Sequence, residues 1–331
     1  MKQRKHIYVL ATGGTIAGQA ESGVATTGYR AGAVSVDALL SAVPELSELA
    51  EVSGEQVAAI DSKDMTEQIQ WELVRRCREL LTAGGADGIV ITHGTDTMEE
   101  TAYFLSLLVD TEKPIVLTGA MRPATALSAD GPLNLLDAVR VAASDVAGGM
   151  GVLVVMNNQI DGAHDVTKTH TMSVDTFRSP DSGALGRVND GEVTFFRRPV
   201  HTPLPHSQSL PGEGASLPQV RILYGYGGDD GALVEAAVRS GARGIIYAGM
   251  GNGSLPQPVE QRLAAAVRQG IVAVRSSRGC GGSVTQAEAS YEQAHILYSG
   301  TLNPQKARIL LQLALLQGRD RSEIQELFLR Y

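Results

Sequence analysis

Apolar residues fall along this chain in short, nearly continuous runs, separated by stretches where they recur every three or four positions. The runs Ile7–Ala11, Gln56–Ile60, Gly88–Thr92, Ile115–Thr118 and Val152–Met156 read as strands. Between them lie helical patterns. Thr66 is placed to cap a helix that carries Ile69, Leu73, Cys77 and Leu80 on one face and closes at Gly84-Gly85. A second helix runs from about Met98 to Leu108 and a third from about Pro132 to Ala143. Strands that are apolar at every position are buried on both faces. That implies a doubly wound α/β fold, a mostly parallel sheet covered by helices on both sides.

The pattern breaks between Arg197 and Gln219, where Pro199, Pro203, Pro205, Pro211 and Pro218 are spaced by Ser, Gly and His. Such a stretch reads as a linker. Beyond it the alternation restarts. Val220–Tyr224, Gly244–Ala248 and Ile271–Val274 read as strands, Gly231–Ser240 and a segment ending near Gln269 as helices, and two helices close the chain, about Pro304–Gln317 and Ser322–Leu329. The expectation is a larger N-terminal α/β domain at 1–197, a linker at 198–218 and a smaller α/β domain at 219–331. With 331 residues, 43% of them apolar, each domain has enough to bury a core.

Charge narrows the partners. Charged residues make up 19% and the formal net charge is −8, which argues against nucleic acid, since phosphate neutralisation needs clustered Lys and Arg. No apolar run approaches the ~20 residues of a membrane helix. The start, Met1-Lys2-Gln3-Arg4-Lys5 followed by Ile7–Ala11, resembles a signal peptide, but the apolar stretch is short and runs into Thr12-Gly13-Gly14-Thr15. It reads as a first strand, so the expected location is the cytoplasm, or the periplasm or exterior if a leader was removed. Cys77 and Cys280 are too few and too far apart for a zinc site or a disulfide framework and read as two buried thiols. The seven His show no ligand spacing. Neither metal nor cofactor is expected.

In a doubly wound sheet, ligands bind beyond the carboxyl ends of the strands. Three loops there are unusually polar: Thr12–Thr15, Asp61–Asp64 and His93–Thr97. The first lacks both Gly-Lys-Ser/Thr and Gly-x-Gly-x-x-Gly, so it is not a phosphate loop. Taken singly, Thr15 reads as a turn residue, Asp96 or Thr97 as the cap of the helix beginning near Met98, and Glu99 and Glu100 as charges favouring its N-terminus. Taken together, they bring two threonines and a carboxylate to one sheet edge. A threonine hydroxyl needs a base to attack at neutral pH. No Ser-His-Asp order or Gly-x-Ser-x-Gly elbow is present. Lys168, read as lying in a polar loop after the Val152–Met156 strand, is a candidate base or simply a surface lysine.

Thr12-Gly13-Gly14-Thr15-Ile16-Ala17-Gly18 and Ile91-Thr92-His93-Gly94-Thr95-Asp96-Thr97 resemble the two signature segments of bacterial L-asparaginases. The resemblance continues through Gly119-Ala120-Met121-Arg122-Pro123, Ser128-Ala129-Asp130-Gly131-Pro132, Asn134-Leu135, Asp175-Thr176-Phe177 and Leu302-Asn303-Pro304-Gln305-Lys306-Ala307-Arg308, covering nearly the whole chain in order. Thr26-Thr27-Gly28-Tyr29 is similar to the type II branch, which includes the glutaminase-asparaginases. The resemblance implies Thr15 as nucleophile, Tyr29 as the tyrosine of a lid, Thr95 as the second threonine and Lys168 as the activating lysine. It further implies that Asp96 holds the substrate α-ammonium and Ser62 the α-carboxylate. Ser254 and Glu288 match positions supplied by a neighbouring subunit in a tetramer of two intimate dimers. Lys63 stands where the family usually has Gln or Glu beside the α-ammonium. Its side chain either turns to solvent, pairing with Asp64 or Glu67, or stays near the pocket.

The expected activity is therefore hydrolysis of the side-chain amide of L-asparagine to L-aspartate and ammonia through a threonine acyl-enzyme. A broad glutaminase-asparaginase is an alternative, because one methylene is worth only about 1–3 kcal/mol of discrimination. A non-catalytic amino-acid-binding protein of the same fold is another, and a nucleotide-binding protein a third, against which the loop patterns already argue.

Overall fold

The computed structural model describes residues 4–331 apart from 25–27, 29, 201–202, 206 and 208–215. The chain forms two compact units, 1–214 and 215–331.

The first unit runs β1 (His6–Gly13), α1 (Val36–Ser41), α2 (Leu46–Leu49), β2 (Glu51–Ile60), α3 (Glu67–Thr82), β3 (Gly88–Thr92), α4 (Met98–Leu108), β4 (Ile115–Thr118), α5 (Gly131–Ala143) and β5 (Val152–Met156). It continues through β6 (Gln159–Gly162), β7 (Thr167–Lys168), β8 (Phe177–Arg178), β9 (Gly186–Asn189) and β10 (Glu192–Phe195). An eight-stranded sheet has the order β10-β9-β6-β5-β4-β3-β1-β2. From β5 to β2 the pairing is parallel, and β6, β9 and β10 join antiparallel.

Alternation explains why the central strands are apolar throughout. Ile7, Val9, Val90, Val116, Leu153 and Val155 share one buried cluster with α5 and the α1–α2 region. Their neighbours Leu10, Ile89, Ile91, Leu117 and Val154 point to the other face and are equally buried, where α3 and α4 pack. Truncating one of the Leu or Ile residues to Ala costs about 2–5 kcal/mol. Thr66 caps α3 as expected, its hydroxyl accepting from the Ile69 amide at 3.3 Å.

Three expectations need correction. Thr97 sits at the start of α4 without a side-chain bond to that helix; its hydroxyl donates instead to the Ser62 carbonyl at 2.8 Å and joins two loops. Lys168 lies in a two-residue strand, β7, paired antiparallel with β8, not in an open loop. Only one of the two thiols is buried. Burial pushes Cys77 up to about 12, whereas Cys280 is exposed in the glycine-rich stretch Gly279–Gly282, which has no apolar layer to enter.

The second unit contains β11 (Val220–Tyr224), α6 (Ala232–Arg239), β12 (Gly244–Gly249), α7 (Gln257–Arg268), β13 (Val272–Ser277), α8 (Ala289–Gln293), β14 (Leu297–Tyr298), α9 (Pro304–Leu316) and α10 (Arg321–Arg330). Its four strands are all parallel, in the order β11-β12-β13-β14. One face packs on Val234, Val259, Leu263 and Tyr291, and α9 packs against β11, β12 and β13. Among the described residues no helix is long and apolar enough to cross a membrane.

Candidate active site

β1 lies between β2 and β3, so the chain leaves it in one direction and returns on its other side. Crevices form at such switch points. The three polar loops meet there because glycines allow it. Gly14 has φ +77°, and a Cβ on it would lie 2.4 Å from the Gly94 backbone; a Cβ on Gly94 would lie 2.5 Å from the Ser62 hydroxyl. Backbone and side chain then stitch the loops. The Gly14 amide donates to the Ile60 carbonyl at 2.8 Å, and the Asp96 amide to Ser62 Oγ at 3.2 Å.

Below these loops His93 is fully buried. Its Nδ1 faces the Gly94 carbonyl at 2.7 Å, which only accepts, so Nδ1 carries the hydrogen and Nε2 accepts from Thr101 Oγ1 at 3.0 Å. Burial pushes this imidazole down to about 4 and keeps it neutral.

A cavity of about 550 Å³ opens above the loops. Thr15, Ser62, Lys63, Thr95, Asp96 and Lys168 all line it. Thr15 and Ser62 are only 7% and 2% exposed, so their hydroxyls are largely withdrawn from bulk water. Lys168 Nζ donates to Thr95 Oγ1 at 2.9 Å and to Asp96 Oδ1 at 2.6 Å. A hydroxyl, an amine and a carboxylate are thereby joined in one chain. Lys63 takes neither expected partner: it lines the cavity and pairs with Asp61 at 2.6 Å. The hydrogen bond and charge of Asp61 raise its pKa, with smaller help from Asp64 and Asp96.

Tyr29 lies outside the described residues; Gly28, its neighbour in sequence, lines the cavity. Ser254 and Glu288 belong to the second unit and are both exposed. Ser254 closes a tight turn with Met250 after β12, and Glu288 precedes α8. The buried Arg275 guanidinium ties the two loops together, donating to the carbonyls of Asn252, Thr285 and Gln286 at 3.1, 2.6 and 2.9 Å.

Several contributors escaped the reading of the sequence. Glu99, 4% exposed, accepts from the Lys168 backbone amide at 3.0 Å, so the carboxylate assigned to the helix terminus also anchors the lysine strand. Met121 and Arg122 line the cavity, and Asp130 fixes their loop by accepting both amides at 2.9 Å. Thr171 and Met172 complete another wall. The clue to Met121, Arg122 and Asp130 was present in the matched segments around Gly119 and Ser128. Among the described residues no group of three or more His, Cys, Asp and Glu is arranged to hold a metal.

Hydroxyls, an amine and a carboxylate at the carboxyl ends of a mostly parallel sheet are the equipment of a small-molecule hydrolase. Residues 6–201 match the family described as Asparaginase, N-terminal, and residues 219–328 match the Glutaminase/Asparaginase C-terminal domain. The chain belongs to the asparaginase family, hydrolases that act on amides. It is 46% identical over 330 residues to L-asparaginase 2 of Bacillus subtilis (strain 168), covering 100% of this chain and 88% of that one. It is 44% identical over 328 residues to the glutaminase-asparaginase of Pseudomonas fluorescens biotype A, covering 98% and 90%. The crystal structure of a probable cytoplasmic L-asparaginase from Campylobacter jejuni superposes with a TM-score of 0.94 at 45% identity, covering 99% of this chain and 100% of that one.

Proposed function

We propose that this protein is an L-asparaginase that hydrolyses the side-chain amide of L-asparagine to L-aspartate and ammonia, with Thr15 as nucleophile. The observation that carries the reading is the Lys168–Thr95–Asp96 hydrogen-bonded chain inside the cavity that Thr15 and Ser62 also line.

Asparagine is a zwitterion. Its α-ammonium pairs with Asp96 and its α-carboxylate accepts from Ser62, which holds the amide carbon at Thr15 and turns binding into orientation. Asp96 then has two cations to serve. A substrate ammonium that takes over this carboxylate releases Lys168, whose amine becomes able to move a proton through Thr95. Thr15 Oγ attacks the amide carbon, and Thr95 with loop amides steadies the oxyanion. Collapse breaks the C–N bond, the nitrogen leaves as ammonia with the proton it gains, and an ester to Thr15 remains. Water hydrolyses that ester to aspartate and restores the threonine.

In this reading the segment from Gly18 to Gly32, rich in small residues, acts as a lid that brings Tyr29 over the substrate. Ser254 and Glu288 serve the cavity of a neighbouring subunit in a homotetramer of two intimate dimers. What supports the last step is the resemblance of both segments and the exposed position of both residues.

Ammonia release on asparagine and glutamine, measured side by side with the purified protein, tests the activity. Hydrolysis of asparagine at the higher kcat/KM is expected; failure to release ammonia from either overturns it. Sedimentation at assay concentration tests the assembly, and a fully active monomer would remove Ser254 and Glu288 from the site.

A further inference from the structure

The β7–β8 hairpin brings more than Lys168 to the cavity. Its tip presents Thr171 and Met172 to the cavity wall. The arms of the hairpin are closed by the Thr169 amide and hydroxyl, each donating to the Thr176 carbonyl at 2.8 Å, and by the His170 amide donating to Thr176 Oγ1 at 2.8 Å. None of these bonds fixes the residues inside the tip. The backbone amides there are held by one ring nitrogen: those of Met172 and Ser173 both donate to His170 Nδ1, each at 3.0 Å. In this turn Nδ1 acts as the acceptor of both amides.

We propose that His170 is a positioning residue for substrate binding: its Nδ1 holds the turn that sets Thr171 and Met172 against the substrate. The neighbouring polar groups do not take over the Met172 amide. Asp175 accepts from Ser173 Oγ and pairs with Arg178, which ties only the far side of the turn, and Lys168 is engaged with Thr95 and Asp96. Lys168 is also anchored independently of the tip, through its pairing with Phe177 and its amide bond to Glu99. Loosening the tip therefore disturbs a binding wall and leaves the proton-moving groups in place. A wall that touches ground and transition state alike acts on KM more than on kcat.

The inference rests on the asparaginase reading, and substitution separates the two. Asn Oδ1 sits where His Nδ1 sits, one bond beyond Cγ, so His170→Asn keeps the acceptor; His170→Ala removes it. Steady-state kinetics on asparagine should show His170→Ala raising KM by roughly tenfold with kcat within about threefold, and His170→Asn within about twofold of wild type in both. Because the turn is exposed, thermal midpoints of the three proteins should agree within about 2 °C. An unchanged KM in His170→Ala, or an equal rise in both variants, overturns the proposal while wild-type activity leaves the asparaginase reading standing. A wild type inactive on asparagine overturns that reading instead.

Discussion

Both units end their parallel strands in polar loops, yet they spend the polar atoms differently. In the first unit, backbone contacts permitted by Gly14 and Gly94 bring the loops together, so Thr15, Thr95, Asp96 and Lys168 are left to face the cavity. In the second, the strong polar groups hold the loops themselves. Arg275 is fully buried, stacks 4.2 Å from the Tyr291 ring centre and gives its hydrogens to loop carbonyls. Asn252 bonds both the amide and the hydroxyl of Thr285. The comparison teaches that one strand-end rim turns its polar side chains into a cavity and the other ties its own loops down; on the proposed function the first would react and the second would present. Glycine contacts bring the first unit's loops together at the backbone; in the second an arginine hub holds them, with Ser254 and Glu288 exposed.

The sharpest way to break that contrast is to remove chemistry from the first rim. Thr15→Ala should lower turnover by ~10³-fold or more with an unchanged circular dichroism spectrum, since on the proposed mechanism only the attacking atom is lost. Retention of more than about a tenth of wild-type turnover, a barrier change below ~1.4 kcal/mol, would take the nucleophile role from Thr15.

Removing the hub should act on stability first. Arg275→Met strips the donors from three part-buried loop carbonyls and should cost about 3–5 kcal/mol in all, at roughly 1–3 kcal/mol for each group left without its donor. Urea denaturation followed by a probe in the second unit should show the loss, with activity falling as the Ser254 and Glu288 loops loosen. An unaltered midpoint would mean that the loops hold without their arginine.

A pH series sharpens the contrast from the first unit's side. His93 has a folded value near 4 against an ordinary 6.5. Between those values the unfolded chain binds a proton that the folded one refuses, so the stability contribution is complete above about 6.5 and is lost as pH falls toward 4. The loss amounts to about 3 kcal/mol. His93→Asn should flatten the acid limb between those two values in urea titrations. The slope is the readout, so a variant that is less stable overall still decides the matter; an equally steep limb would assign it to other groups.

The smallest effect belongs to Lys63. Its ammonium is already paired with Asp61 and largely exposed. Lys63→Gln should lower KM for asparagine by no more than about threefold, with kcat nearly unchanged and the difference fading at high salt. A higher KM at low ionic strength would mean that Lys63 assists the substrate carboxylate.

The parts of the fold readable from sequence were those where one face-independent pattern sufficed. β3, β4 and β5 are buried on both sides, and their runs mark their own ends. The pieces of mixed apolar and polar sequence were not readable. The first half of β2, the short helices α1 and α2, and the antiparallel strands β6 to β10 carry mixed apolar and polar positions whose pairing is decided by distant partners. The site divides the same way. Thr15, Thr95 and Asp96 lie in contiguous motifs beside strong strands. Glu99 was visible only as a helix charge, because its partner is a backbone amide 69 residues away. His170 was invisible because its acceptor role belongs to a turn, and no residue pattern encodes which ring nitrogen points inward.

The close approach of Gly14 to Gly94 also sets where substrate preference is open to redesign. With 2.4 Å available for a Cβ at position 14 and 2.5 Å at position 94, the floor of the cavity has no room for any larger residue without prying the three loops apart. Libraries that diversify the floor should yield mostly misassembled protein. Arg122, Thr171 and Met172 instead face the same cavity with their side chains, from loops whose backbones are not pressed together at those positions by a glycine contact. Selection for shorter or longer amide substrates should therefore accumulate changes at the walls and leave the two glycines untouched.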